Sequence, residues 1–135
     1  MLLAFLTGAS LLLLAGCDLQ GDSPRSAATG IPSANGTPSW AQGMETVTPG
    51  ELPRQARETI DLITEGGPFP YDQDDTVFMN RERRLPQQDR GYYREYTVDT
   101  PGLSHRGARR IVTGDGGEFY YTEDHYDSFK AVVQR

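Results

Sequence analysis

The order in which helical and extended patterns follow one another constrains the fold of this chain more than any other feature. The helical pattern comes first, because Leu52, Ala56, Ile60 and Ile63 recur at the spacing of one face of a helix. This pattern predicts an amphipathic helix over residues 52–64. Its apolar face needs a partner surface, which the residues that follow must supply.

After the helix the sequence changes to short segments rich in aromatic and β-branched residues, separated by glycine and proline, and such segments predict strands. The predicted strands are Thr76–Phe78, Tyr92–Val98, Ala108–Thr113, Phe119–Thr122 and Ala131–Gln134. One helix followed by a run of strands predicts an α+β domain, in which the helix covers one face of a twisted antiparallel sheet. The other face is expected to be open for a ligand.

Alternation along the strands predicts which side chains share a face of this sheet. If Ile111 points toward the helix together with Tyr96 and Val98, then Glu95 and Arg110 point to the opposite face. A carboxylate that faces an arginine across adjacent strands is either a structural ion pair or a catalytic arrangement. Structural pairs are commoner, and the alternation alone leaves both interpretations open.

The first residues of the chain have the pattern of an export signal. Residues 1–16 are apolar, uncharged and too few to span a bilayer comfortably, and they end in Leu14-Ala15-Gly16-Cys17. That ending resembles the lipobox of bacterial lipoproteins, in which the cysteine receives the lipid. Cys17 is the only cysteine, so we interpret residues 1–17 as a lipoprotein-type signal peptide. Plain secretion and an uncleaved anchor stay open, and each places the protein outside the cytoplasm.

Residues 18–44 are rich in glycine, serine and proline and have few bulky apolar side chains. Such a composition buries too little surface to offset the entropy of ordering, so it predicts a disordered tether. The folded domain is therefore expected to span residues 45–135, a length that supports one hydrophobic core.

The charge of the chain is unevenly distributed. A net charge of −6 argues against a nucleic-acid partner, because affinity for phosphate normally comes from Lys and Arg. Residues 81–110, however, carry eight arginines against four acids and no lysine. Arginine suits bidentate recognition of phosphate. This segment is either a solvated face laced with salt bridges or a phosphate-binding surface.

Five motifs of the predicted domain follow one another in a fixed order. They are Gly67–Tyr71, Val77–Glu82, Gly91–Val98, Arg106–Ile111 and Tyr120–Tyr126. Together they resemble the microbial guanyl-specific ribonucleases, the family of ribonuclease Sa and, more distantly, barnase. The likeness covers essentially the whole domain, and five linked motifs are far more specific than any one of them.

The resemblance implies an enzyme that cleaves single-stranded RNA after guanosine through a 2′,3′-cyclic phosphate, without a metal or an organic cofactor. By the same resemblance Glu95 is the base that takes the ribose 2′-OH proton, and His125 is the acid that protonates the departing 5′-oxygen. Arg106 and Arg110 match the phosphate-binding arginines, and Tyr126 matches a tyrosine that contacts the phosphate.

Guanine preference is implied for the segment from Phe78 to Glu82. Glu82 matches the residue that accepts hydrogen bonds from N1–H and the N2 amino group of guanine. Backbone N–H groups around Asn80 and Arg81 are expected to meet O6 and N7, and Phe78 to stack on the base. Met79 stands where relatives often carry a polar residue, but the contact there is expected from the backbone.

Each of these residues also has an ordinary interpretation when it is considered alone. His125 follows Asp124 in a turn-like context, and Asn80 suits a left-handed turn position. The main alternative is a catalytically inactive surface lipoprotein that binds a guanine nucleotide or an inhibitor protein. A barstar-like inhibitor is a possible partner, and a monomer is expected. The disulfide of close relatives is absent, which typically costs about 2–4 kcal/mol of stability.

Overall fold

The helix α1 runs from Arg54 to Glu65 in the computed structural model, which describes residues 36–134. It follows a 3-10 turn over Pro49–Glu51 and ends at Gly66, whose φ of 82° lets its N–H reach the carbonyls of the last turn. The predicted helix is confirmed with its ends moved by one or two residues, because Leu52 is extended where the 3-10 turn closes.

The helix packs on a sheet of six strands in the order β1-β6-β5-β4-β3-β2. The strands are β1 Glu45–Val47, β2 Thr76–Val77, β3 Tyr93–Thr97, β4 Arg110–Gly114, β5 Phe119–Thr122 and β6 Lys130–Val132. The α+β class and all five predicted strands are confirmed. The predicted antiparallel pairing is also confirmed for these five strands, and the edge strand β1, which was not predicted, adds one parallel pairing with β6. A strand of three residues is too short for its alternation to stand out.

The face of the sheet toward α1 carries the alternation predicted from the sequence. Tyr96 pairs with Ile111, and Ile111 pairs with Tyr121. These side chains are buried in one cluster with Leu52 and Ala56, which come from the first turns of the helical segment. The neighbours of these strand residues, including Glu95 and Arg110, therefore point away from the helix.

The opposite face is open only in part, which corrects the expectation that all of it is free for a ligand. Tyr93, Val112 and Tyr120 are at most 3% exposed there, in a second core cluster. The cover includes Leu85 and Phe129, both from segments outside the strands. Glu95 and Arg110 lie on this face outside that cluster, and the Glu95 side chain is 17% exposed.

The folded region also begins earlier than predicted. Ser39–Ala41 form a 3-10 helix, Ala41 is fully buried, and the Trp40 ring meets the ring of Tyr120 edge-on at 5.4 Å. The part of the predicted tether that falls in residues 36–44 is therefore wrong, since apolar contacts hold it to the sheet. The rest of the tether, the signal peptide and Cys17 lie outside the described residues. Within residues 36–134, no helix has the length and apolar character needed to cross a membrane.

Two leucines provide a matched test of the second core cluster. Leu85 is 3% exposed within that cluster, whereas Leu103 is 48% exposed. Leu85→Ala is expected to lower the free energy of unfolding by about 2–4 kcal/mol, because it removes buried methyl groups and leaves a cavity. Leu103→Ala should change it by less than about 0.5 kcal/mol. Urea unfolding of both variants is the measurement, and equal losses would contradict the assignment of this cover.

Candidate active site

Glu95 lies on β3, on the face of the sheet that points away from the helix. Its side chain is 17% exposed, and Arg106 Nη2 lies 3.9 Å from its Oε1. The hydroxyl of Tyr126 donates a hydrogen bond to the other oxygen, Oε2. Burial, together with this hydrogen bond, raises the pKa of Tyr126 to about 12. The phenol therefore keeps its proton at neutral pH and holds the carboxylate in one orientation.

Arg106 borders this carboxylate, and the guanidinium of Arg110 lies 6.0 Å from the ring centroid of Tyr126. Each arginine has a donor that the described residues leave unused. Arg106 donates from Nε to the Thr97 hydroxyl at 2.9 Å, and Arg110 donates from Nη1 to the Gly107 carbonyl at 3.0 Å. Arg106 Nη2 and Arg110 Nε are buried without a hydrogen-bond partner among these residues. A buried donor without a partner is costly. A bound anion with several oxygens, such as a phosphodiester, would satisfy both donors.

His125 reaches the same place from the turn after β5. Its backbone N–H donates to the Ala108 carbonyl at 3.2 Å, beside Arg109 and Arg110 in sequence. Its exposed imidazole lies 4.9 Å, between ring centroids, from Tyr126, whose hydroxyl bonds Glu95. Glu95 and His125 therefore both border Tyr126, on one side of the sheet.

The turn that carries His125 is held by Asp124. His125 and Tyr126 both have a positive φ, of 58° and 75°, which side chains other than glycine adopt at some cost. The Asp124 carboxylate accepts from the Thr122 hydroxyl at 2.8 Å and from the Ser128 N–H at 2.9 Å, and Ser128 also donates its hydroxyl. Hydrogen bonds from Ser128, above all, lower the pKa of Asp124 to about 2.

The segment expected to recognise the base begins beside these groups. The ring of Phe78 stacks on Tyr126 with 5.0 Å between centroids. Asn80 has a φ of 46°, and its side chain exchanges two hydrogen bonds with the backbone of Leu85, so the left-handed turn expected there is present. Met79, Arg81 and Glu82 are exposed.

The structure thus brings together Glu95, Arg106, Arg110, His125 and Tyr126, and Phe78 joins them through its stacked ring. Met79, Arg81 and Glu82 lie farther along the loop and contact none of these through a described hydrogen bond or ion pair.

Sequence reasoning missed three residues that support the site, Thr97, Asp124 and Ser128. The spacing of Asp124 and Ser128 is a signal for the turn, since Asp side chains commonly bond backbone N–H groups a few residues on. Among residues 36–134, no cluster of three or more potential metal ligands is present.

Comparison with known proteins assigns the chain to one family. A family model described as ribonuclease matches residues 35–133. The chain belongs to the ribonuclease family.

Relatives of this ribonuclease align with about two thirds of the chain. Guanyl-specific ribonuclease St of Saccharopolyspora erythraea is 56% identical over 91 residues, which are 67% of this chain and 90% of that protein. Guanyl-specific ribonuclease Sa of Kitasatospora aureofaciens is 54% identical over 90 residues, which are 66% of this chain and 94% of that protein. The crystal structure of ribonuclease Sa2 with guanosine-2′-cyclophosphate has a TM-score of 0.66 at 49% identity, covering 68% of this chain and 98% of that one.

The hydrogen bonds of Asp124 make the ribonuclease sensitive to acid at this turn. Because the folded pKa is depressed, the carboxylate contributes stability above the ordinary pKa of 3.8, and the contribution is lost as the pH falls toward about 2. Asp124→Asn is expected to lower the free energy of unfolding by about 1 kcal/mol at pH 7, since the carboxylate is largely exposed to solvent. Urea unfolding measured from pH 7 to pH 2 tests this.

The matched control is Asp127→Asn, because Asp127 is an exposed acid of the same turn that no described hydrogen bond or ion pair involves. It should leave the stability nearly unchanged. A difference between wild type and Asp124→Asn that stays constant with pH would contradict the prediction.

Proposed function

We propose that this ribonuclease is a guanyl-specific endoribonuclease that cleaves single-stranded RNA on the 3′ side of guanosine through a 2′,3′-cyclic phosphate. The observation that carries the proposal is the cradle of Arg106 and Arg110 donors beside the carboxylate of Glu95, with His125 next to it. The names of two relatives, guanyl-specific ribonucleases St and Sa, support the same specificity.

Each residue of the proposed site has its own role in transphosphorylation. Glu95 takes the proton of the 2′-OH, the 2′-oxygen bonds to phosphorus, and the bond from phosphorus to the 5′-oxygen breaks as His125 delivers a proton to it. The arginines stabilise the negative charge that develops on the non-bridging oxygens. In the second step water opens the cyclic phosphate with the two proton roles exchanged. DNA lacks the nucleophile, so RNA is required.

Tyr126 connects the two halves of the proposed site. Its hydroxyl fixes Glu95, and its ring supports Phe78. The raised pKa keeps the phenol protonated over the working pH range, so its hydroxyl can donate to the carboxylate. We assign it a positioning role for the base, together with contact to the phosphate.

Guanine is recognised, in this proposal, by the loop that follows Phe78. Glu82 accepts from N1–H and the N2 amino group, and backbone N–H groups at Asn80 and Arg81 donate to O6 and N7. The described contacts that support this are the two hydrogen bonds between the Asn80 side chain and Leu85, which fix the loop before a base arrives. Met79 contributes through its backbone, since its side chain is 43% exposed.

A binding protein without activity is the less favoured alternative. An inactive protein has no need for both a proton acceptor and a proton donor, yet Glu95 and His125 are both present and both contact Tyr126. Only a measurement of turnover distinguishes the inactive binding protein from the enzyme, because both would bind guanine nucleotides.

The decisive test is the cleavage of dinucleotides that begin with guanosine, adenosine or uridine. We expect cleavage after guanosine to be faster than after the other bases by about 100-fold or more, in the presence of a chelator and with a cyclic phosphate product. Glu95→Gln and His125→Ala should each lower kcat by about 10²- to 10⁴-fold, because each removes one proton transfer. His105→Ala is the control, since His105 is the other histidine of the chain and is exposed.

Equal rates for guanosine and adenosine would contradict the specificity. Loss of activity in the chelator would contradict the mechanism. Equal effects of His105→Ala and His125→Ala would contradict the assignment of the acid.

We further propose that the ribonuclease acts outside the cytoplasm as a monomer and is anchored through a lipid on Cys17. The apolar run of residues 1–16 and its ending in Leu14-Ala15-Gly16-Cys17 support export and lipidation. A barstar-like inhibitor is proposed as a protein partner on the family resemblance alone.

Intact mass spectrometry of the protein purified from cell membranes tests the anchor. The expected mature chain begins at Cys17 and carries a diacylglyceryl group, so its mass exceeds that of residues 17–135 by the mass of the lipid. Cys17→Ser should move the activity from the membrane to the soluble fraction. A mature chain of unmodified mass, or one that begins after Cys17, would contradict lipidation.

A further inference from the structure

Arg106 differs from Glu95 and Arg110 in that it lies on the loop between β3 and β4 rather than on a strand. Residues 101–105 just before it are exposed, and Gly107 just after it has a φ of 63°. The pairing of the strands therefore fixes the backbone of Glu95 and of Arg110, but not the backbone of Arg106. Another contact has to hold its guanidinium beside the carboxylate.

Thr97, at the end of β3, supplies such a contact. Its hydroxyl accepts the hydrogen bond that Arg106 donates from Nε at 2.9 Å. Thr97 is only 4% exposed, so water competes little for this hydroxyl. Because threonine is branched at Cβ, its side chain has few rotamers, and the direction of the hydroxyl is restricted. The hydrogen bond thus ties the loop to the strand that carries Glu95 two residues earlier.

Two side chains from outside the sheet fix the backbone of Thr97. Strand β2 begins at Thr76, opposite Glu95, so its ladder does not reach Thr97. The Asp74 carboxylate accepts from the Thr97 N–H at 2.7 Å instead, and the Thr59 hydroxyl of α1 donates to the Thr97 carbonyl at 3.3 Å. Asp74 and Thr59 are themselves buried. The position of Thr97 is therefore set before any ligand arrives.

The Thr97 hydroxyl also keeps Arg106 at a distance from Glu95. Arg106 Nη2 lies 3.9 Å from Glu95 Oε1, which is longer than the hydrogen-bond range of about 2.7–3.2 Å, and it has no hydrogen-bond partner within residues 36–134. Without the Thr97 acceptor the guanidinium gains by closing this gap, because hydrogen bonds between charged groups are strong. Such a closure would occupy both a donor that a phosphate needs and an oxygen of the proposed base.

We infer that Thr97 is a positioning residue, whose hydroxyl holds the Arg106 guanidinium open toward the scissile phosphate and away from Glu95. The inference rests on the proposed function, because the phosphate is that of the proposed cleavage. Thr97 touches no reacting atom in this arrangement and acts through Arg106 alone. Recognition of guanine, which we assign to the loop after Phe78, does not involve it.

The first test replaces the hydroxyl by a methyl group of similar size, in Thr97→Val. We expect kcat/KM for a guanosine dinucleotide to fall by about 10- to 100-fold, because a displaced guanidinium stabilises the transition state less. Thr97→Ser keeps the acceptor and should retain most of the activity. Thr113→Val is the matched control and should leave kcat/KM unchanged, since Thr113 lies on β4 and, by the alternation around Ile111, on the face toward α1.

Titration calorimetry separates a positioning role from damage to the fold. Inorganic phosphate requires the arginines, whereas guanosine requires only the base loop. Thr97→Val should weaken the binding of inorganic phosphate by about tenfold, because the guanidinium loses the hydrogen bond that orients it. The same variant should bind guanosine with an unchanged dissociation constant.

A double-mutant cycle tests whether Thr97 acts through Arg106. In the Arg106→Ala background, Thr97→Val is expected to change kcat/KM by less than about twofold, because the group that the hydroxyl positions is already gone. The effects of the two substitutions should therefore not add.

The outcomes separate this inference from the proposed function. Unchanged activity and phosphate binding in Thr97→Val would overturn the inference, and so would an equal loss in Thr97→Ser. Equal losses of phosphate and guanosine binding, or additive effects in the cycle, would assign Thr97 to the stability of the sheet and would also overturn it. If the wild type does not cleave after guanosine, the proposed function is wrong. The titration with inorganic phosphate still decides the inference in that case, because it needs no turnover.

Discussion

The pairing of Ile111 with Tyr96 on one side and Tyr121 on the other sets the arrangement of the whole ribonuclease. These three side chains must face α1 to be buried, and a strand places successive side chains on opposite faces. Glu95 and Arg110 therefore emerge together on the far side. A slip of one residue in this register would bury the carboxylate under the helix and expose Ile111, so the apolar core and the site enforce the same register.

The candidate site combines side chains from rigid strands with side chains from a strained turn. Glu95 and Arg110 come from strands whose positions the core fixes, whereas His125 and Tyr126 come from a turn with two successive positive φ values. Unfavourable backbone angles persist where the surroundings over-determine them, and the hydrogen bonds of Asp124 supply that constraint here. The proposed acid is thus exposed enough to meet a leaving group while its backbone is held.

The parts predicted from the sequence are those that a local pattern specifies. The periodicity of Leu52 and Ala56 located α1, and the alternation around Ile111 placed Glu95 and Arg110 on one face. The other residues of the candidate site were predicted from the linked motifs. Periodicity alone could not decide whether Glu95 and Arg110 form a structural ion pair or a catalytic arrangement. The parallel edge strand β1 and the cover formed by Trp40 were missed, because both depend on contacts between residues far apart in the sequence and give little periodic signal. The loop proposed to recognise guanine is exposed, and its conformation gives no periodic signal in the sequence.

The cover over Tyr120 has a consequence for how the enzyme would be released from the proposed lipid anchor. Trp40 and Ala41 seal one end of the second cluster, although they precede the first strand. Proteolysis before Pro38 would release a domain with this seal intact. Proteolysis at the first strand would uncover the Tyr120 ring and part of the apolar surface around it, so the position of the cut decides whether a liberated enzyme survives in solution.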